Sequence, residues 1–241
     1  MNLLLLWPED FLTDGVARIF GRRFRQLTEV IKAAPGKFCK AGIASGPVGL
    51  AEVLTIAGDH ADLRFEAHGA PPPPLQVILC CALPRPPTFD KIIHSAVTCG
   101  VKRICFFHSA KVEKSYWQSS RLAADAIREE VVLALEQCAD TVFPVITFHR
   151  RLRNFVEDEL SEIIHAGAVK LFGAPSAGVK VPVGVANTDV TALVIGPEGG
   201  LNAFEEQSLR DQGFQGVTLG SRILRSEFAV NAFLSVLGVV K

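Results

Sequence analysis

The stretch Leu193-Val-Ile-Gly-Pro-Glu-Gly-Gly-Leu-Asn202 predicts a strand, a turn and a helix in succession. Val194 and Ile195 are apolar and β-branched, which favours a buried strand. The glycines that follow permit backbone conformations and close approaches that a side chain would prevent. Asn202, with Glu205 three residues later, forms a capping-box pattern that predicts the start of a helix.

A second stretch, Leu219-Gly-Ser-Arg-Ile-Leu-Arg-Ser-Glu227, repeats this plan. An apolar strand from Val217 to Leu219 precedes a glycine turn, and a helix is predicted from about Ser226. In open α/β sheets, ligands bind at the carboxyl ends of the strands. The two glycine turns therefore predict one ligand site.

The wider pattern predicts two parts. Residues 1–70 read as short strands and turns, with helical signal only at about 21–31, and the four prolines at 71–74 mark a boundary. Beyond them, strands at 75–83, 104–107, 142–147, 169–172 and 193–195 alternate with helices, including a long one at about 120–137. The helix before residue 100 has a buried stripe at Phe89, Ile92, Ile93, Ala96 and Val97. This alternation predicts an α/β fold with a mostly parallel sheet.

Composition sets broad limits on function. The 241 residues are 49% hydrophobic, which indicates a well-buried core, and the formal net charge is zero, so any contact with nucleic acid needs a local patch. The six cysteines have no metal-ligand spacing, so no metal is predicted, and unpatterned thiols fit a reducing cytoplasm. No apolar run reaches the length of a membrane helix. The apolar stretch after Met1 is predicted to be a first strand.

IGPEGG at 195–200 and LGxxILRxE at 219–227, in this order, resemble the signature of the bacterial 16S ribosomal RNA uridine-N3 methyltransferases, a branch of the SPOUT methyltransferases. The resemblance implies a small PUA-like β-barrel at residues 1–70 that binds RNA. It also implies a SPOUT domain at 75–241, whose C-terminus threads a trefoil knot. The general rule is against knots, so this expectation rests on the resemblance alone.

The resemblance implies S-adenosylmethionine as the cofactor, held largely by main-chain groups of three loops. Ala174 stands where the family commonly has histidine in one of them. The predicted cofactor-binding residues are Phe172, Gly173, Pro175, Ile195, Gly196, Pro197, Glu198, Gly199, Gly200, Leu219, Gly220, Ile223 and Leu224.

Arg225, Glu198 and Glu227 are the predicted catalytic residues. Methylation at N3 of uracil requires loss of a proton, and negative charge then spreads onto O2 and O4. A guanidinium aimed at that charge stabilises the anion, which is the role predicted for Arg225. Glu198 is a candidate base or an orienter of Arg225, and Glu227 is a candidate base or a cap of the last helix.

RNA contact is predicted in the N-terminal part. Between Arg18 and Lys40 there are seven basic residues and one acidic residue, Glu29. Such clusters bind phosphates without reading sequence, although a solvated basic face is an alternative. The predicted RNA-binding residues are Arg18, Arg22, Arg23, Arg25 and Lys32, and Lys111 and Lys114 are candidates to extend the patch.

Together with the resemblance, the sequence favours a cytoplasmic RNA methyltransferase that acts on N3 of a uridine in small-subunit ribosomal RNA or the assembling 30S subunit. The resemblance also implies a homodimer. Several presumed RNA-facing positions depart from the family pattern, such as His108-Ser-Ala110 in place of a Glu-Arg pair. Two alternatives therefore stay open. One is a methyltransferase for another rRNA site or tRNA, and the other is an RNA-binding or ribosome-assembly factor that has kept the fold without turnover.

Overall fold

The computed structural model describes residues 2–165 and 167–238, and the chain divides into two compact units. The first unit contains the residues up to Pro73 together with Val132–Phe143. The second contains Pro74–Val131 and the residues from Pro144 onward. Within the described part of the chain, no helix combines the length and the hydropathy needed to cross a membrane.

The first unit is built on a six-stranded sheet. Its strands are β1 Leu4–Leu6, β2 Phe11–Thr13, β3 Val16–Phe20, β4 Phe38–Ile43, β5 Val48–Ala57 and β6 His60–Gly69, in the order β1-β4-β5-β6-β3-β2. Neighbours are antiparallel except β1 and β4, which are parallel. Helix α1, Gly21–Arg25, continues as a π-helical turn at Gln26–Val30, as the sequence predicts.

The first strand is buried on both sides, so it is a core element as predicted. Leu4 and Leu6 join the main core of the unit, while Leu3 and Leu5 pack with Val132. The Val132–Phe143 segment is tied to the same unit by hydrogen bonds, since the amide of Leu3 donates to Glu136 O at 3.0 Å.

The second unit confirms the predicted α/β class with a parallel sheet. Its strands are β7 Leu75–Ala82, β8 Val101–Phe107, β9 Val145–His149, β10 Val169–Gly173, β11 Thr191–Ile195 and β12 Gln215–Val217, in the order β12-β10-β11-β7-β8-β9. Every neighbouring pair is parallel. The chain moves outward from β7 to β9 and then returns to the other side of β7, so the strand order reverses between β7 and β11.

The helices are α2 Pro86–Thr98, α3 Ala124–Cys138, α4 Leu152–Asn154, α5 Leu160–Ile163, α6 Ala203–Asp211 and α7 Ser226–Leu237. A π-helical turn at Phe155–Glu159 joins α4 to α5. Short 3₁₀ turns lie at Pro8–Asp10, Lys114–Gln118, Ser120–Leu122 and Val185–Asn187. The predicted apolar stripe of α2 is buried, which confirms that helix.

Several predicted boundaries are wrong, and β8 and β11 begin earlier than predicted, at Val101 and Thr191. Helix α3 begins at Ala124 because the preceding residues form a 3₁₀ turn capped by the Ser119 hydroxyl. Strand β9 is displaced toward the C-terminus because the Asp140 carboxylate accepts the amide of Val142 at 2.9 Å and makes a turn there. Strand β12 ends at Val217 and begins at Gln215.

Candidate functional site

A cavity of about 270 Å³ lies at the carboxyl ends of β10, β11 and β12. This edge of a parallel sheet, beside a reversal of strand order, is where open α/β folds bind ligands. The cavity is lined by Gly173, Ala174, Pro175, Ile195, Gly196, Pro197, Glu198, Gly199, Gly200, Leu201, Glu206, Val217, Thr218, Leu219, Arg222, Ile223, Leu224, Ser226, Ala229 and Phe233.

The first glycine turn forms one wall. The amide of Gly200 donates to Pro197 O at 2.8 Å and closes the turn, and its φ of 71° is a conformation that favours glycine. A Cβ at Gly196 would lie 3.0 Å from Leu201 Cγ. Glycine therefore lets the turn fold tightly while its backbone stays at the cavity wall.

Glu205 fixes the turn to helix α6. Its carboxylate accepts the amide of Asn202 at 2.9 Å, and its own amide donates to the Asn202 side chain at 2.8 Å. This confirms the predicted capping box. The other carboxylate oxygen accepts the amide of Ala110 at 2.7 Å, so the loop after β8 is bound to the same point.

Lys111, in that loop, makes a second link to the turn. Its Nζ donates to Gly199 O at 2.7 Å, and a Cβ at Gly199 would lie 2.9 Å from Lys111 Cδ. The sequence carries no spacing signal that relates these two residues, because they are 88 positions apart. Their contact depends on the strand order of the sheet.

The second glycine stretch forms the opposite wall. The Thr218 hydroxyl donates to Gly220 O at 2.9 Å and accepts its amide at 3.1 Å, and Gly220 has a φ of 143°. Within the described residues, the amides of Leu219 and Leu224 have no hydrogen-bond acceptor in the protein. They are available to a ligand, and the leucine side chains add apolar surface beside them.

Most of the predicted cofactor-binding residues meet in this cavity, with two exceptions. Phe172 is fully buried beneath the sheet edge, where its ring would lie 2.9 Å from a Cβ at Gly216. Gly220 shapes its turn but does not line the cavity. No local sequence signal identifies Thr218, Arg222 or Phe233 as lining residues, although Arg222 lies within the LGSRILR stretch at 219–225.

The predicted catalytic residues occupy three different settings. Glu198 lines the cavity and is exposed. Arg225 is exposed at the N-cap of α7 and lies outside the lining residues, where Arg222 takes the wall position instead. Glu227 is buried in the first turn of α7, with Oε1 3.8 Å from Lys91 Nζ. Within the described residues, Glu198 forms no ion pair with Arg225.

Tyr116 lies close enough to Glu113 and Glu198 for their negative charges to affect its phenol group. Desolvation raises the pKa of its phenol, and the neighbouring Glu113 and Glu198 carboxylates raise it further. Its hydroxyl donates to Glu113 at 3.2 Å. The phenol therefore stays protonated as a hydrogen-bond donor.

Three predicted RNA-binding residues of the first unit are held in ion pairs. Arg18 binds Asp62 through two bonds of 2.6 and 2.9 Å, Arg22 binds Glu136 at 2.8 Å, and Arg23 binds Asp10. These acidic partners lie outside the window in which the sequence shows only Glu29. Arg25 and Lys32 are exposed, and neither forms an ion pair with the part of the chain that the structure describes.

The cysteines are free thiols, and no group of His, Cys, Asp and Glu within residues 2–165 and 167–238 has the geometry of a metal site. Burial raises the pKa of Cys39 to about 11. A hydrogen bond from Cys80, with further bonds from Thr147 and His149, lowers the pKa of Cys105 below its ordinary value. Cys105 is fully buried, so this thiol is shielded from solvent.

Comparison with known proteins gives consistent results. Residues 71–238 match the model of an RNA methyltransferase domain. The ribosomal RNA small subunit methyltransferase E of Treponema pallidum is 26% identical over 98% of this chain and 90% of its own length. The protein of the same name from Mesomycoplasma hyopneumoniae is 30% identical over 73% of this chain and 75% of its own length.

A solved structure shows the same fold over nearly the whole length. The crystal structure of a ribosomal RNA small subunit methyltransferase E from Neisseria gonorrhoeae, bound to S-adenosylmethionine, superposes with a TM-score of 0.73 at 20% identity. The match covers 97% of this chain and 95% of that one. At this identity the likeness establishes the fold.

Proposed function

This chain belongs to the RNA methyltransferase family, and on that basis we propose that it transfers a methyl group from S-adenosylmethionine to a nucleobase nitrogen of RNA. The observation that carries the proposal is the cavity bounded by both glycine turns at the carboxyl ends of β10, β11 and β12. Backbone amides without protein acceptors and apolar walls suit an adenosine moiety. When bound, the cofactor supplies an electrophilic methyl group.

The proposed acceptor is N3 of a uridine in 16S ribosomal RNA, either free or in the assembling 30S subunit. The support comes from the relatives named ribosomal RNA small subunit methyltransferase E, one of which matches 98% of this chain. The proposed cellular location is the cytoplasm, where that RNA is made in bacteria.

The chain supplies charge stabilisation and proton removal in this proposal. Uracil N3 carries a proton and has no available lone pair, so the proton must leave as the new bond forms. Arg225, at the start of α7, stabilises the negative charge on O2 and O4, and Arg222 on the cavity wall is the second candidate. Glu198, exposed at the cavity, is the proposed acceptor of the proton.

Glu227 has a different proposed role. It lies in the first turn of α7, where a carboxylate interacts favourably with the helix dipole, and it is buried near Lys91. These contacts favour a role in holding the helix start, which in turn positions Arg225.

We propose that the N-terminal unit is a PUA-like barrel and that it binds RNA phosphates. Arg25 and Lys32 are exposed and carry the main contribution. Arg18, Arg22 and Arg23 contribute less because their charges are offset by ion pairs.

The proposal extends to a trefoil knot in the C-terminal part. The segment after β10 lies along the end of β12, since Thr218 N donates to Val179 O at 2.8 Å and Val181 N donates to Thr218 O at 3.0 Å. Gly184 N donates to Val236 O in α7 at 2.8 Å. Helix α7 then packs on α2 and contacts β11. A chain end that passes an earlier loop in this way supports a knot.

A homodimer is also proposed. Ile223, Phe228 and Phe204 are 82%, 57% and 66% exposed, and large exposed apolar side chains are typical of surfaces that a partner covers. Light scattering after size-exclusion chromatography tests this. The wild-type chain is expected to be dimeric and Phe228→Asp monomeric, and a monomeric wild type contradicts the proposal.

The function is tested with radiolabelled S-adenosylmethionine and 16S RNA or 30S subunits from a strain that lacks the endogenous methyltransferase. Methyl transfer is expected, and mass spectrometry of the nucleosides should identify N3-methyluridine. A different methylated nucleoside, or transfer only to tRNA, supports the first alternative. Cofactor binding or RNA binding without transfer to any RNA supports a non-catalytic assembly factor.

The same assay separates the two arginines. Loss of a guanidinium that acts only in the transition state is expected to lower kcat by about 10²–10³. Arg225→Ala should show this loss with little change in cofactor affinity, measured by calorimetry. Arg153→Ala is the matched control, since Arg153 is exposed, pairs with Glu157 and is not among the residues that line the cavity. If Arg225→Ala keeps full activity and Arg222→Ala lowers kcat, the charge-stabilising role belongs to Arg222.

A further inference from the structure

The second unit carries an aromatic and basic surface that the cavity does not include. The Arg150 guanidinium lies over the Trp117 ring, 4.8 Å from its centroid. The Trp117 indole donates to His108 Nδ1 at 2.9 Å, and Phe148 meets its ring edge-on at 6.3 Å. We call the stacked pair the Trp117–Arg150 platform. Trp117 is half-buried and Arg150 is exposed, so the outer face of the guanidinium is open.

The platform rests on a rigid base. His149, the residue before Arg150, ends strand β9 and hydrogen-bonds Thr147 at 2.8 Å and Glu159 at 2.6 Å. Its ring also lies 4.1 Å from the Phe155 ring. The backbone that carries Arg150 is therefore fixed, and less conformational entropy is lost when a ligand binds.

Two exposed guanidinium groups lie at or directly beside the platform. Arg150 and Arg151 are exposed, and neither forms an ion pair within the described residues. Among the acidic side chains of the neighbouring segments, Glu159 contacts His149, Glu157 pairs with Arg153, and Glu113 accepts a hydrogen bond from Tyr116. The sequence adds Lys114 to the same loop as Trp117. An anionic partner is therefore favoured here.

The platform and the cavity belong to one edge of the same sheet. Trp117 lies in the segment that follows β8, and Arg150 follows β9. The loop after β8 is bound to the glycine turn at the cavity through Lys111 and Ala110, each at 2.7 Å. A strand whose reacting base enters the cavity can therefore extend over this loop.

We propose that the Trp117–Arg150 platform stacks an unpaired nucleobase that neighbours the methylated one, while Arg151 binds the adjoining phosphate. The inference rests on the proposed function, since it places this contact on the same RNA. Arginine planes and tryptophan rings stack on any base. Bases inside an A-form duplex are already stacked, so the platform selects single-stranded RNA.

Tryptophan fluorescence tests the platform directly. The chain has two tryptophans, Trp7 and Trp117, so Trp7→Phe leaves Trp117 as the single reporter. The phenylalanine retains an aromatic ring next to Phe143, which Trp7 contacts at 5.7 Å. Titration with a ten-nucleotide oligouridylate is expected to quench Trp117, and an RNA duplex of the same length is expected to quench it much less.

Substitutions at Arg150 define the contact. In the Trp7→Phe background, Arg150→Ala should weaken oligouridylate binding by about five-fold or more. Arg150→Lys should retain part of the wild-type affinity, because lysine keeps the positive charge but lacks the planar guanidinium group that stacks on a base. Arg153→Ala removes one charge from the same segment, yet it should change binding by less than about two-fold. In the methyltransferase assay, Arg150→Ala should raise KM for RNA more than it lowers kcat.

The outcomes separate failure of the inference from failure of the proposed function. Equal quenching by the duplex excludes selection of single strands, and equal quenching by polyglutamate shows a general anion surface. Unchanged affinity and KM in Arg150→Ala, with methyl transfer intact, refutes the platform while the proposed function stands. Quenching that depends on Arg150, in a protein that methylates no RNA, supports the platform and refutes the function.

Discussion

Replacing Glu205 by alanine removes the carboxylate that joins the glycine turn, helix α6 and the loop after β8. That carboxylate is 4% exposed and accepts two backbone amides, from Asn202 at 2.9 Å and from Ala110 at 2.7 Å. Each donor left without an acceptor costs about 1 kcal/mol at a partly buried site, and the bond from Asn202 is one half of the capping box. The second unit should therefore lose about 2 kcal/mol of its unfolding free energy.

Glu205→Gln should cost about 1 kcal/mol, because the amide side chain keeps one of its two acceptor oxygens. Urea unfolding, followed through Trp117 fluorescence in the Trp7→Phe background, measures both values. Cofactor affinity should fall in the same order, since the glycine turn loses its anchor. Gln207→Ala, which removes only an exposed bond to Asp211 on the same helix, is the control. A loss for Glu205→Ala no larger than that of the control refutes the reasoning.

Three further changes probe other contacts. Gly49→Ala would place a Cβ 1.9 Å from Glu66 O. The first unit should therefore lose at least about 2 kcal/mol of unfolding free energy. An unfolding free energy in urea within about 0.5 kcal/mol of the wild-type value argues against that contact. Arg18 lowers the pKa of Asp62, chiefly by hydrogen bonding, so their pair stabilises the first unit above about pH 4 and this contribution is lost as pH falls through the lowered pKa. Asp62→Asn should therefore reduce the loss of unfolding free energy between pH 5 and pH 2, and an unchanged pH profile contradicts it. Lys111→Ala removes the 2.7 Å bond to the glycine turn and should weaken cofactor binding by about three- to five-fold in calorimetry, whereas equal affinity excludes an ordering role.

The elements that the sequence predicted correctly are those formed by residues close together in the chain. The stripe from Phe89 to Val97 identified α2 because a helix brings those positions onto one face. Asn202 and Glu205 identified the start of α6 because the capping box closes within four residues. The two glycine stretches predicted most of the cavity wall for the same reason, since each forms its own turn.

The features that the sequence did not reveal depend on distant pairs. Asp62, Glu136 and Asp10 neutralise arginines that appear unopposed in the local window. The link from Lys111 to Gly199 exists only because the strand order brings β8 and β11 to either side of β7. Periodicity and capping patterns carry no information about such contacts.

The first unit is assembled from two separated segments of chain, residues up to Pro73 and Val132–Phe143. During synthesis, Leu3 and Leu5 cannot pack against Val132 until that residue has been made. Arg22 likewise cannot form its ion pair until Glu136 has been made. A ribosome must therefore translate the chain as far as Phe143, well past its midpoint, before the N-terminal unit can complete its packing. Cutting at the proline linker would release a fragment with an uncovered apolar face and an unpaired guanidinium. Expression of this unit alone should require the 132–143 segment, supplied through a short engineered loop.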